Sequence, residues 1–308
     1  MIIKELAISN SSLNMFHSCK RKLEFRKFYM HPGKDRSLAG DVGGALHAGY
    51  QDYLVHGDRD KALLALALAY PIDLNDNPMK PRSLEACIPT LDAMMDSEYL
   101  MEYELAKVDC IDGLTRPATE VYFKINIKNF SLSDNEFIPV SYVGYIDAIL
   151  YNHLTDEYIV CDIKTHTDKS YDLSPKYQFS PQCLPYGIVL ERMLGQQLDG
   201  LSVKYLSTFI DIAQPKVAIY DFEKSKQDIE DWARGLIVDL QQIKMFYQMQ
   251  WFPRTADGCI AWFKPCRFFD ICESRDDDYI QQMILENKEP YTDRTDEPWI
   301  ECDLELGI

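Results

Sequence analysis

The sequence lacks any long hydrophobic run. Its longest, Ala62–Tyr70, falls far short of the roughly 18 apolar residues at which a membrane span becomes credible, so no membrane partner is expected. The amino-terminal stretch Met1–Ser12 lacks the basic-then-apolar pattern of a secretory signal. There is no even set of cysteines: nine are present, which argues against a disulfide framework and for reduced thiols or metal ligands in a cytoplasmic protein. No internal repeat is visible. Positive charge is scarce, with 32 Lys and Arg against 49 Asp and Glu and a formal net charge of −17, an awkward total for a nucleic-acid partner. Its distribution softens the objection, because residues 276–308 carry a net −9 and residues 17–36 a net +5. Local charge decides where a polyanion docks.

What is present is ordinary for a soluble globular chain: 308 residues, 46% hydrophobic and 26% charged. Ser9 to Ser12 offer caps for a helix from about Ser12 to Tyr29, basic through Lys20, Arg21, Lys22, Arg26 and Lys27, with Cys19 among them and Pro32-Gly33 at its end. Gly43 and Gly44, whose lack of side chains permits close packing, open a second helix to about Val55 with His47 in its first turns. Residues 59–107 read as helical pieces, broken near Pro71–Pro81 and at Pro89, that cap the sheet. Thr119–Ile127 alternates as a strand, with Glu120 on its polar face. Ser180-Pro181 reads as the start of a helix with Gln182 and Tyr186 on one face and a kink at Pro185. A hairpin of Val203–Phe209 and Lys216–Phe222, a helix from Ser225 to Met249, and Cys259, Cys266 and Cys272 follow, before an acidic, loosely ordered tail. This order implies an α/β fold, a mixed sheet flanked by helices.

The informative stretch is Gly144–Thr165. Two apolar, β-prone runs, Tyr145–Tyr151 and Tyr158–Ile163, flank the polar segment 152–156, a hairpin signature. A turn between Leu154 and Thr155 sets Asp147 opposite Asp162, with Lys164 on the same face as Asp162. Like charges so placed repel, and uncompensated buried carboxylates are costly. A hard divalent cation is the natural occupant.

In order, His47, Glu120, Asp147, Asp162-Ile163-Lys164 and Gln182-Cys183-Leu184-Pro185-Tyr186 resemble the PD-(D/E)xK nuclease superfamily and its RecB-like branch. Singly, each has a structural reading: a helix His caps or packs, a strand Glu or Lys is solvated, a Tyr fills the core. The resemblance implies a restriction-endonuclease-like fold over residues 1–275, with a helical insertion at 55–115 and a separate acidic tail at 276–308. It further implies Mg²⁺ or Mn²⁺ held by His47, Asp147, Asp162 and the Ile163 carbonyl, with Lys164 at the attacking water or phosphate. Gln182 and Tyr186 would orient Lys164 or the substrate, and Glu120 would hold a water or second ion. The implied activity is DNA hydrolysis, as an exonuclease on single strands or frayed ends. Arg21, Arg26 and Lys27 would track phosphates.

Ser9-Asn10-Ser11 with Cys19-Lys20-Arg21 resembles the branch's Ser-x-Ser…Cys-Pro-Arg opening, and the late cysteines resemble its AddB-type iron–sulfur staple, also found in CRISPR adaptation nucleases. The Cys266–Cys272 gap of five residues fits that staple, while the Cys259–Cys266 gap of six is longer than the usual two. With Cys19 these four thiols would hold a [4Fe–4S] cluster, or zinc on ligand count alone. The other cysteines read as buried free thiols, except Cys302, expected to be exposed in the tail. Stand-alone members of the branch are common in bacteriophages, which makes a phage recombination, repair or DNA-processing nuclease the implied role. The alternative is a non-catalytic DNA-end-binding or scaffolding subunit whose acidic tail docks a protein partner.

Overall fold

The computed structural model describes residues 3–29, 38–71, 82–97, 102–167, 172–261, 264–274, 278–280, 282 and 298–305. The chain begins with β1 (Leu6–Ile8), α1 (Asn10–Ser18), α2 (Lys20–Leu23) and a π-helical turn (Glu24–Phe28), followed by α3 (Leu38–His56), α4 (Arg59–Ala69) and α5 (Leu84–Met95). Short strands β2 (Glu104–Leu105), β3 (Lys107–Asp109) and β4 (Thr115–Pro117) lead to the long strands β5 (Thr119–Ser131), β6 (Pro139–Asn152) and β7 (Glu157–His166). Then come α6 (Ser174–Gln178), α7 (Leu184–Leu194), β8 (Gly200–Phe209), β9 (Lys216–Ser225) and α8 (Lys226–Gln248). The hairpin β10 (Ile260–Ala261) and β11 (Lys264–Pro265), α9 (Phe269–Glu273) and β12 (Ile300–Glu305) complete the described chain.

The mixed sheet runs β12-β5-β6-β7-β8-β9, with β1 and β2 also pairing with β6. One face is covered by α1, α7 and α8, where Phe16, Tyr186, Val189, Trp232 and Leu236 join Val121 and Phe123 in a common core. On the other, Leu46, Tyr50, Leu66 and Leu91 from α3, α4 and α5 pack on Ala148, Leu150, Cys161 and Leu206. Burial on both faces explains the nearly continuous apolar runs in β6 and β7. The expected α/β architecture is therefore present.

Several expectations change. The first helix is interrupted at Cys19, whose extended backbone (φ −167°, ψ 118°) separates α1 from α2. It also begins earlier, because Ser9 caps it by accepting from the Ser12 amide. Pro89 lies inside α5 rather than breaking it. The span 55–115 is not all helical, since β2 and β3 fall within it. Ser180-Pro181 does not start a helix; α7 begins at Leu184 with Pro185 in its first positions, where a missing amide costs nothing, so no kink arises. The tail is not merely loose. Ile300–Glu305 pairs in parallel with Phe123–Lys128, and Cys302 is buried rather than exposed. Pro32-Gly33, Lys34 and Arg36, residues 72–81 of the Pro71–Pro81 break, and residues 276–277, 281, 283–297 and 306–308 of the tail lie outside the described residues.

Candidate metal centre and cysteine cavity

The site is created by a fork. β6 and β7 pair from Asn152↔Glu157 to Ala148↔Cys161, so the expected turn register holds. Beyond that rung β6 stays with β5 through Ile146↔Val121, while β7 stays with β8 through Asp162↔Tyr205. Asp147 and Asp162 are the first residues past the last shared rung. The Ile163 amide donates instead to Asp147 Oδ2 at 2.7 Å, which satisfies a group the fork would otherwise strand.

Gly43 brings α3 close to β7: a Cβ there would meet Thr165 Oγ1 at 2.9 Å. Gly44 has no such neighbour, so only one of the two glycines acts as expected. One turn beyond Gly43, His47 Nδ1 sits 3.9 Å from Asp147 Oδ1. Ligand atoms of His47, Glu120 and Asp147 all lie within 4.8 Å of one another. Glu120 adopts φ +48°, the left-handed region that ordinary side chains avoid at a cost of about 1–2 kcal/mol. Such strain persists where surrounding structure enforces it, frequently at functional sites.

Asp162 is 1% exposed; its Oδ2 pairs with Lys164 Nζ at 2.5 Å and its Oδ1 accepts from Gln182 Nε2 at 3.0 Å. Gln182 thus holds Asp162 rather than Lys164. Tyr186 donates to the Tyr145 carbonyl at 3.1 Å and packs edge-on against Phe123, so it pins the forked backbone of β6. Sequence reasoning missed Gln51, which donates to Glu120 Oε1 at 2.7 Å. Its signal was available: Gln51 lies four residues after His47, on one helical face.

Burial raises both Asp147 and Asp162 to about 6, against opposition from the Lys164 ammonium. Burial, then the nearby Lys164 charge, lowers His47, leaving the neutral imidazole that metals bind. Burial alone would lower Lys164, but the Asp162 and Asp147 carboxylates outweigh it and hold the ammonium above its usual range. Two acids resisting ionisation beside a neutral imidazole form a donor set that a hard cation fits.

At the other end of α1, the expected cysteines come together. Cys19, Cys259, Cys266 and Cys272 line one cavity of about 170 Å³, with Arg21, Arg254 and Phe268. The long Cys259–Cys266 gap is taken up by the β10–β11 hairpin, across which the Cys266 amide donates to the Cys259 carbonyl at 2.7 Å. Gly258 allows this approach, since a Cβ would meet Ser18 O at 2.7 Å and Cys19 Cβ at 2.9 Å. Backbone amides of Thr255 and Phe268 donate to the sulfurs of Cys19 and Cys266 at 3.4 and 3.5 Å. Arg21 lines this cavity, pairs with Glu24 at 2.5 Å and lies over the Phe25 ring.

A fork that gathers carboxylates, an imidazole and an ammonium offers the donor types that metal-assisted hydrolysis uses, on a mixed sheet. The sequence model of the PD-(D/E)XK nuclease superfamily matches residues 7–273, and the chain belongs to that superfamily; it is a nuclease with the restriction-endonuclease-like fold. A solved structure from Eubacterium rectale, named a putative exonuclease, superposes over 88% of this chain and 94% of its own, with 12% identity and a TM-score of 0.51. That likeness is one of fold. A second, the protein SSO0001, aligns over 77% of this chain and 86% of its own at 13% identity, with a TM-score of 0.27 too low to carry an argument. No curated protein matches the chain. Among the described residues, no helix is long and apolar enough to cross a membrane.

Proposed function

We propose that the chain is a Mg²⁺- or Mn²⁺-dependent deoxyribonuclease, an exonuclease on single-stranded DNA or frayed ends that serves DNA recombination, repair or processing. The observation that supports it most is the convergence of His47, Glu120 and Asp147 ligand atoms within 4.8 Å beside the Asp162–Lys164 pair. His47, Asp147, Asp162 and the Ile163 carbonyl would hold the ion, and Glu120 a water of its shell. A divalent ion held there would supply charge for the phosphoryl oxygen and acidify the attacking water. Lys164, paired with Asp162, would position or deprotonate the attacking water, or neutralise charge gathering on the phosphate. Gln182 fixes the Asp162 carboxylate, which keeps Lys164 in register with the scissile group.

The cysteine cavity fits a [4Fe–4S] cluster. Four cysteines line a space larger than one ion needs, amides donate to two of their sulfurs, and Arg21 and Arg254 would balance an anionic cluster. Purified protein would then be brown with stoichiometric iron; a colourless protein with stoichiometric zinc would overturn that choice. The function is tested by digestion of labelled linear and circular single strands with Mg²⁺ or Mn²⁺. Wild type should degrade the linear form and spare the circle, and Asp162→Asn should degrade neither. Absence of cleavage by wild type, with binding retained, would favour a DNA-end-binding subunit.

A further inference from the structure

We propose that the groove between the start of α1 and β6 is the seat of an unpaired nucleotide of the substrate strand, its phosphate against Asn10, Asn14 and Lys27 and its base against Tyr122 and Tyr145. This rests on the nuclease reading and names where the strand lies.

Four observations carry it. The groove has a volume of about 520 Å³, within the range of sites that hold small ligands. It adjoins the metal centre, because Gln182 both lines it and donates to Asp162 Oδ1, and Tyr145 stands two residues before Asp147 on β6. In a chain with 49 acidic residues, no carboxylate lines this groove, while Lys27 does. A net charge of −17 makes an acid-free, amide-rich and cationic lining the place where a polyanion meets least repulsion. Finally, Tyr122 and Tyr145 are cross-strand partners whose rings stack at 4.8 Å and 18°, and both line the groove.

The tyrosine pair selects the form of the ligand. Bases in a duplex already stack on one another, so an aromatic platform of this kind serves a base that is splayed out. A single strand laid in the groove passes Gln182 and brings its next phosphate to the Asp162–Lys164 pair. A duplex could engage the polar wall alone.

The test uses full-length protein and a short fluorescein-labelled oligothymidylate, with Ca²⁺ in place of Mg²⁺ to suppress cleavage, read by fluorescence anisotropy. Asn14 is exposed on α1, so charge can be introduced there without disturbing the core. Asn14→Glu should weaken binding about fivefold and Asn14→Lys strengthen it severalfold, both effects shrinking with salt. Gln227→Glu, exposed at the start of α8, makes the same change in net charge away from the groove and should leave binding unchanged. In parallel, an oligonucleotide carrying 5-iodouridine should cross-link under ultraviolet light to Tyr122 or Tyr145. Asn14 variants that match the Gln227→Glu control, cross-links confined to other residues, or no binding by wild type would each overturn the groove assignment. Cleavage by wild type in Mn²⁺ would still uphold the nuclease reading. Conversely, groove-dependent binding without cleavage would sink the nuclease reading and leave the groove standing.

Discussion

The Ile163 amide donates to Asp147 Oδ2 across 2.7 Å, at the first position beyond the last backbone pair of β6 and β7. One carboxylate oxygen is thereby committed to the fork, and the other is aimed at His47, 3.9 Å away. An asparagine can keep the amide's acceptor but cannot supply the charge. Asp147→Asn is therefore expected to fold, to lose Mn²⁺ affinity by about a hundredfold because cation sites depend on ligand charge, and to cleave no DNA. Isothermal titration with Mn²⁺ checks the affinity, and undiminished binding would remove Asp147 from the ligand set.

Gln51 holds Glu120 through a 2.7 Å hydrogen bond. Partners in the outer shell of a metal are typically worth 10–100-fold in affinity or activity. Gln51→Leu should weaken Mn²⁺ binding by about tenfold, whereas Gln51→Glu places two acids together and should perturb the site in a pH-dependent way. Equal Mn²⁺ affinity in wild type and Gln51→Leu would mean that Glu120 takes no part.

The buried acids also set a pH dependence of stability in the absence of metal. Asp147 and Asp162 have a reference value of 3.8 and are raised to about 6 in the fold. The fold thus favours their neutral forms. This contribution is complete below the unfolded value and is lost as pH rises through about 6. In EDTA, Asp147→Asn should reduce the loss of stability between about pH 4.5 and pH 7 that these groups impose. Urea unfolding of the two proteins at both pH values checks it, and identical pH slopes would contradict the burial argument. Added Mn²⁺ should reverse the trend, stabilising most above pH 6, where the ligands are free of protons.

Much of this arrangement was legible in the sequence, and the gaps have physical reasons. The hairpin register followed from alternation and a polar turn, so Asp147 and Asp162 were placed together. The fork was not legible, because it depends on which neighbour each strand prefers once the hairpin ends, and that is decided by β5 and β8. Glu120 looked like a solvent-facing strand residue, since alternation says nothing of its positive φ. Gln51 shares a helical face with His47 but belongs to no pattern of ligands. Charge and the Cys19-Lys20-Arg21 motif do not reveal that Phe25 and Glu24 decide the position of Arg21.

The carboxy-terminal strand was hidden by its acidic surroundings. In β12, Ile300 and Cys302 are buried and Asn126 donates to Glu301 at 2.8 Å. Six residues of the strand pair with β5. Removing residues 299–308 should expose the β5 edge, lower stability by about 3 kcal/mol through lost apolar burial and pairing, and promote association through the bare strand. Urea unfolding and sedimentation measure both effects. Full stability of the truncated chain would return this segment to the status of a detached tail.

The central claim is that the fork of β6 and β7 seats a catalytic cation, and anomalous diffraction from crystals soaked in Mn²⁺ tests it most directly. The account predicts a manganese peak at about 2.0–2.3 Å from donor atoms of His47, Asp147 and Asp162 and the carbonyl of Ile163. Manganese bound elsewhere, with these donors still engaged only with Lys164, Gln182 and the Ile163 amide, would contradict it.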